Sequence, residues 1–209
     1  MEDFYEINDL MKYISEKPVV VDIGANVGYF SFLMAAKRAH AQVLAYEPME
    51  QNIQLFRSNL LRNKELAGRV QAHHLAVTGS EIASVKLYFD DVEHNTVISS
   101  VFEDFARENT RSVEIKAISL ARIIRENNLQ RIDLLKLDCE GSEYPILYES
   151  PEEVWPMIQC IAAEVHEMDK DKRNHGHLSR FLKNKGFTIS RSRLDANGCY
   201  YMLAYRKNG

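Results

Sequence analysis

A chain of 209 residues, 45% hydrophobic and 27% charged, is long enough to bury a full core and falls within the size of one globular domain. Its formal net charge of −4 argues against a general affinity for nucleic acid or for anionic membranes. The acidic opening, Met1-Glu-Asp-Phe-Tyr-Glu6, is unlike the basic n-region of a secretory signal, and the longest weakly charged stretch, Ile23 to Ala36, is too short to span a bilayer. Cys139, Cys160 and Cys199 are odd in number and widely spaced. That pattern suggests reduced thiols in a cytoplasmic protein rather than disulfides or a zinc site.

Phe4, Ile7, Leu10, Met11 and Ile14 recur at helical spacing, which predicts an amphipathic helix over 2–15 within an N-terminal segment 1–17. Val19, Val20 and Val21 form a β-branched run suited to a buried parallel strand. Asp22 and the turn Gly24 to Gly28 follow, and apolar residues then fall at Val27, Phe30, Leu33 and Met34, a helical period. Strand, glycine turn and helix make the first half of a βαβ nucleotide-binding unit. A dinucleotide turn needs a bare backbone where this chain has Asn26. The pattern Asp22-x-Gly24-x-Asn26-x-Gly28 suits instead a cofactor with an amino acid moiety and no phosphate, as S-adenosylmethionine is. An ordinary glycine turn is the plain alternative.

Gln42 to Tyr46 is a second strand, closed by Glu47-Pro48, and Ile53, Phe56 and Leu60 carry a helical stripe to about Arg62. Val70 to Val77 is a third strand. Ser84 to Phe89 alternates at period two, and Ser112 to Lys116 reads as its partner. The segment between them, Asp90 to Arg111, has no clear periodicity and reads as an insertion or lid over the ligand face, 84–116 in all, or as a surface loop without a role. A helix from Ser119 to Asn127 leads to a fourth strand, Ile132 to Asp138, then to Cys139-Glu-Gly-Ser-Glu143 and a helix broken near Pro151. Ile158 to Glu167 is the fifth strand, and His177 to Lys185 a helix stopped by Gly186. Phe187 to Arg191 and Cys199 to Tyr205 pair across Asn197-Gly198, a hairpin signal. No interdomain linker interrupts 1–209, so one domain is expected.

In an open α/β sheet ligands bind beyond the carboxyl ends of the strands. Those ends carry Asp22, then Glu47, then His73 and His74, then Asp138 and Glu140, then Glu164, His166 and Glu167. Any one of these could be a solvated strand end. So many acids at one edge call for partners, which a cationic cofactor bearing ribose hydroxyls supplies. Glu47 stands about twenty residues beyond the glycine turn, where an acid accepts ribose hydroxyls; a helix first-turn charge is its other reading. Lys136, on the same side of its strand as Asp138, reads as a buried ion pair, with a catalytic amine as the other reading.

Val20-Val-Asp-Ile-Gly-Ala-Asn-Val-Gly28, Tyr46-Glu-Pro48, Leu135-Lys-Leu-Asp-Cys-Glu-Gly-Ser-Glu143 and Glu164-Val-His166 resemble the FkbM-type S-adenosylmethionine-dependent methyltransferases, with similarity from about Pro18 to Tyr205. The resemblance implies the Rossmann-like class I methyltransferase fold, an α/β architecture with a seven-stranded, mostly parallel sheet, an antiparallel last strand and helices on both faces. It also implies O-methylation of a hydroxyl on a sugar, polyketide, peptide or other small metabolite.

Under that reading Asp22, Gly24, Asn26, Gly28, Glu47 and Asp138 are the cofactor-binding candidates. The catalytic candidates are His166, Glu140 and Glu143, with Glu164 a further possible base. His166 is preferred because an ordinary imidazole titrates near neutrality; a histidine tied structurally to a carboxylate is the alternative. Asp138, Glu164 and His166 could together hold Mg²⁺ or Mn²⁺. His175 and His177 read as capping or solvated, while His94, Asn95 and Thr96 in the insertion could touch the acceptor. The rival functions are a non-catalytic module that binds S-adenosylmethionine or a protein partner, and an NAD-dependent oxidoreductase, which Asn26 disfavours. RNA methylation is disfavoured by the acidic balance and the absence of a basic, aromatic stripe.

Overall fold

The computed structural model describes residues 7–89, 99–100, 111–194 and 198–207. After a short helix, α1 (Ile7–Leu10), the chain forms β1 (Val19–Ile23), α2 (Tyr29–Lys37), β2 (Gln42–Tyr46), α3 (Glu50–Arg62) and β3 (Val70–His73). Next come β4 (Ala76–Thr78), β5 (Ser84–Phe89), β6 (Ser99–Ser100), β7 (Arg111–Ser119) and α4 (Leu120–Glu126). The last part holds β8 (Leu134–Leu137), α5 (Glu143–Tyr148), a 3₁₀ turn over Glu152–Met157, β9 (Cys160–Val165), α6 (His175–Asn184), β10 (Thr188–Leu194) and β11 (Tyr200–Tyr205).

The main sheet has seven strands in the order β10-β11-β9-β8-β1-β2-β3, and β11 runs antiparallel to both of its neighbours. This is the expected seven-stranded, mostly parallel α/β sheet. Its order reverses at β1, whose neighbours β2 and β8 are both parallel to it. Such a switch point opens a crevice at the carboxyl ends of the strands.

Period two sends alternate side chains of each strand to opposite faces. Val21, Ile23, Leu135 and Leu137 pack with Leu120, Ile123, Leu147 and Leu178 on one side. Val20, Val43, Ala45 and Leu134 pack with Leu10, Phe30, Met34 and Phe56 on the other. Helices α4, α5 and α6 therefore cover one face, and α1, α2 and α3 the other.

Local sequence explains several boundaries. Ser119 caps α4 by accepting the Arg122 N–H at 3.0 Å, and Asn174 caps α6 by accepting that of His177 at 2.9 Å. The N-cap of α2 is Gly28 at φ 92°, where a Cβ would lie 1.7 Å from the Phe56 ring.

Three expectations change. The third strand, read as Val70 to Val77, divides after His73, and β4 leaves the main sheet to pair in parallel with β7. The hairpin of β5 and β7, in the register Ser84↔Lys116 to Phe89↔Arg111, thereby joins a four-stranded sheet of order β4-β7-β5-β6. Leu33, assigned to the buried stripe of α2, is 41% exposed, and Ser31 and Ala35 take its place inside. The N-terminal helix is described only over Ile7–Leu10, and residues 1–6, His94 to Thr96 and Asn197 lie outside the described residues. No helix among the described residues is long and apolar enough to cross a membrane.

Candidate active site

The crevice at the switch point is a cleft of about 670 Å³ of open space. Part of its lining is polar, with Asn26, Glu47, Asn52, Asp138, Glu140 and Ser142. The rest of its lining is apolar, with Ile23, Tyr46, Leu75, Val77, Leu87 and Ile146. Because β4 and β5 belong to the small sheet, that sheet supplies part of the apolar lining. Among the described residues no Lys, Arg or His lines the cleft, so its only charged side chains are carboxylates.

The floor is the loop from Gly24 to Gly28. Gly24 and Ala25 both donate N–H bonds to the carbonyl of Tyr46 at 3.0 Å, which pins the loop to the tip of β2. Gly24 has φ 71°, and a Cβ there would meet the carbonyl oxygen of Asp138 at 1.7 Å. Only glycine allows the two loops this approach. Asn26 follows at φ 50°, a left-handed conformation that Asn tolerates better than most residues.

Glu47 closes the tip of β2. One carboxylate oxygen accepts the Asn26 N–H at 2.8 Å; the other accepts the Met49 N–H at 3.0 Å and the Asn52 amide at 3.2 Å. Burial raises its pKa above the ordinary carboxylate value, partly opposed by these hydrogen bonds. Fixed by these donors, the carboxylate keeps lone pairs for hydroxyl donors in the cleft.

Beneath the loop lies the ion pair expected from the sequence, with a second partner. The ammonium of Lys136 is 3.2 Å from Asp22 and 3.4 Å from Asp138, and donates to the Gly24 carbonyl at 2.7 Å. Burial works against its charge, but Asp22 and Asp138 outweigh that and raise its pKa. Asp22 is fully buried, accepts a 2.6 Å bond from Ser31 and is outside the cleft lining. Asp22 and Gly28 thus shape the loop from below, whereas Gly24, Asn26, Glu47 and Asp138 face the cleft.

At the tips of β8 and β9 the catalytic candidates come together. Glu143 is fully buried and accepts both the backbone N–H of His166 at 2.9 Å and its ring Nδ1–H at 3.0 Å. On the other side of the ring, Nε2 lies 3.2 Å from Glu140. Glu140 sits at φ 52°, a strained position for a residue with a Cβ, followed by Gly141 at φ 92°. Burial would lower the pKa of His166, but the bonds and charges of Glu140 and Glu143 override it and push the imidazole up to about 10. Glu140 and Glu143 thus favour the protonated ring, whereas the choice of His166 as a base takes an ordinary imidazole pKa. Glu164 is pushed up to about 8, first by burial and then by the adjacent, hydrogen-bonded Asp138.

Other polar strand ends turn elsewhere. His73 stacks on Tyr46, and His74 bonds the Pro48 carbonyl at 2.8 Å and faces Glu50 at 3.0 Å. Glu167 accepts the His175 N–H at 2.8 Å. The rings of His175 and His177 are engaged, stacking on Tyr200 and facing the Tyr148 hydroxyl at 3.0 Å. Two contributors escaped the sequence reading. Asn52 lies one turn into α3, and its place after Glu47-Pro48 was the available signal. Cys199 lies beside Glu164 and His166, with ligand-type atoms of all three within 4.8 Å of one another.

The family model described as "Methyltransferase FkbM domain" matches residues 22–189. Methyltransferase sdnD of Sordaria araneosa is 28% identical over 206 residues, spanning 87% of this chain and 78% of its own. The 31-O-demethyl-FK506 methyltransferase FkbM of Streptomyces tacrolimicus is 26% identical over 198 residues, spanning 82% of this chain and 73% of its own. Among solved structures, methyltransferase FkbM from Methylobacillus flagellatus superposes with a TM-score of 0.61 at 16% identity, over 91% of this chain and 44% of that longer one.

Proposed function

This chain belongs to the methyltransferase FkbM domain family, and on that premise we propose that it transfers a methyl group from S-adenosylmethionine to a hydroxyl oxygen of a small acceptor. The observation that carries the reading is the charge of the cleft: Glu47, Asp138 and Glu140 line it, and among the described residues no cationic side chain does. A phosphate-bearing dinucleotide is poorly matched to an acidic lining, whereas a cation with ribose hydroxyls and a flat base suits a cleft lined by both acids and apolar side chains. An oxygen acceptor is supported by the Streptomyces relative, which is named for an O-demethylated form of FK506.

The residues present fit that cofactor. Glu47 is the acceptor for the ribose hydroxyls, the Gly24–Gly28 loop gives close backbone approach, and Ile23, Leu75 and Val77 offer an apolar seat for the base. When bound, S-adenosylmethionine supplies a methyl carbon activated by the neighbouring sulfonium. Asp138 and Glu140 contribute negative charge to that end of the cleft.

Glu140 is the base in this scheme, since it lines the cleft and its carboxylate is partly exposed, while Glu143 is buried beneath the histidine. It accepts the acceptor's hydroxyl proton. His166 is a positioning residue: held by Glu143 and cationic, it orients Glu140 from the side away from solvent.

Calorimetry with S-adenosylmethionine tests the cofactor. Saturable binding is expected, together with a thermal shift that NAD does not reproduce. A broad screen of hydroxyl acceptors then tests turnover, read as S-adenosylhomocysteine released. Binding without any turnover across such a screen would favour a non-catalytic module, and a shift with NAD alone would overturn the cofactor.

A further inference from the structure

We propose that Glu164, His166 and Cys199 form a binding site for a divalent transition-metal ion of the zinc class at the rim of the cleft. The strand register brings them together. β9 and β11 pair antiparallel with Val165 opposite Tyr200 and Glu164 opposite Tyr201, so Cys199 falls opposite His166. Period two then sets Glu164, His166, Cys199 and Tyr201 on one face of the sheet. A carboxylate oxygen, an imidazole nitrogen and a thiol sulfur, all within 4.8 Å of one another, result from that placement.

The histidine is already oriented as a ligand. Its Nδ1–H is bonded to the fully buried Glu143, which fixes the ring and leaves Nε2 as the nitrogen for a ligand role. A carboxylate behind the ring in this way is the usual support of a metal-bound imidazole. The Nε2–H now bonded to Glu140 at 3.2 Å gives up its proton to solvent when the ion binds, as does the Cys199 thiol.

The donor set also selects the ion. Mg²⁺ and Mn²⁺ favour oxygen donors, whereas one thiolate, one imidazole and one carboxylate suit Zn²⁺ and its neighbours. Zinc bonds of about 2.0–2.3 Å require the three side chains to close by rotamer adjustment. Glu164 and Cys199 are only half-buried, so they have room to do so. Sequence spacing disfavours zinc because the cysteines form no paired motif; the set is assembled by β-sheet register instead. Three protein ligands leave a fourth coordination position open on the ion. Its use in holding the acceptor oxygen rests on the methyl-transfer reading, whereas the site itself does not.

The test reads the metal rather than turnover. Metal-depleted protein is titrated with Co²⁺ alone, then with Zn²⁺ or Mg²⁺. Visible ligand-field bands and a near-ultraviolet thiolate-to-cobalt band are expected, displaced by Zn²⁺ and not by Mg²⁺. Cys199→Ser should abolish the thiolate band, and Glu143→Gln should weaken Co²⁺ binding about 10–100-fold. Glu164→Gln serves as a second ligand variant should Cys199→Ser not fold, and should shift the ligand-field bands. S-adenosylmethionine binding on the same samples is an independent readout, so loss of one reading leaves the other standing. A folded parent protein without a thiolate band, or a band that persists in folded Cys199→Ser, overturns the site.

Discussion

The ammonium of Lys136 lies 3.2 Å from the carboxylate of Asp22 on the neighbouring strand, with both side chains buried. The same ammonium holds the Gly24 carbonyl at 2.7 Å, so a single charge ties β8 to the turn that floors the cleft. Replacing it by an apolar side chain leaves a carboxylate buried without its cation. Lys136→Met is therefore expected to lose about 3–5 kcal/mol, read by urea unfolding at unchanged m-value. The double variant Lys136→Met/Asp22→Asn should recover part of the loss, and equal stability of single and double variants would contradict the pairing.

Glu47 is expected to act on affinity. Glu47→Gln keeps the shape and loses the charge that accepts hydroxyl donors, for which hydrogen bonds contribute about 1.5–3 kcal/mol. S-adenosylmethionine should bind at least about tenfold more weakly by calorimetry, with the circular dichroism spectrum retained.

Glu140 and His166 should separate binding from turnover. Glu140→Gln is expected to cut kcat by about a hundredfold or more, with cofactor affinity weakened less than in Glu47→Gln. His166→Ala removes the partner that orients Glu140, so it should lower kcat while the pH profile shifts. An unchanged profile in His166→Ala would remove the histidine from any positioning role.

The pH dependence of stability follows from His166 and Glu164. His166 rises from its ordinary 6.5 to about 10 on folding, and Glu164 from 4.5 to about 8. A raised folded pKa gives stability that is full below the unfolded value and lost as pH climbs through the folded one. Both groups therefore weaken the metal-free fold on the alkaline side, Glu164 between 4.5 and about 8 and His166 between 6.5 and about 10. Denaturation midpoints in the presence of chelator should fall across that range, and the fall should be shallower in His166→Phe.

Glycine positions give a backbone test. Gly24→Ala combines φ 71° with a Cβ placed 1.7 Å from the Asp138 carbonyl, so it should cost at least about 1–3 kcal/mol and abolish cofactor binding. Gly68→Ala meets nothing within 4 Å and should leave the melting temperature nearly unchanged.

The main sheet was readable because its signals are local. The valine run 19–21, the tip Glu47-Pro48 and the hairpin strands near Asn197-Gly198 each declare themselves within a few residues. The departure of β4 was not readable, since Ala76 to Thr78 has the same apolar character whether it extends β3 or pairs with β7. The surroundings of His166 were hidden for a related reason: Glu140 and Glu143 stand far from it in sequence, and only folding brings both carboxylates to the imidazole. Cys199 joined the site through β-sheet register, which spacing along the chain does not encode.

Part of the cleft's apolar lining is borrowed from the small sheet, through Val77 and Leu87, while its acids stand at the tips of the large one. The acids and this part of the apolar lining are thus mounted on different ribbons. A shift of the small ribbon would reshape the cavity and leave its carboxylates where they stand.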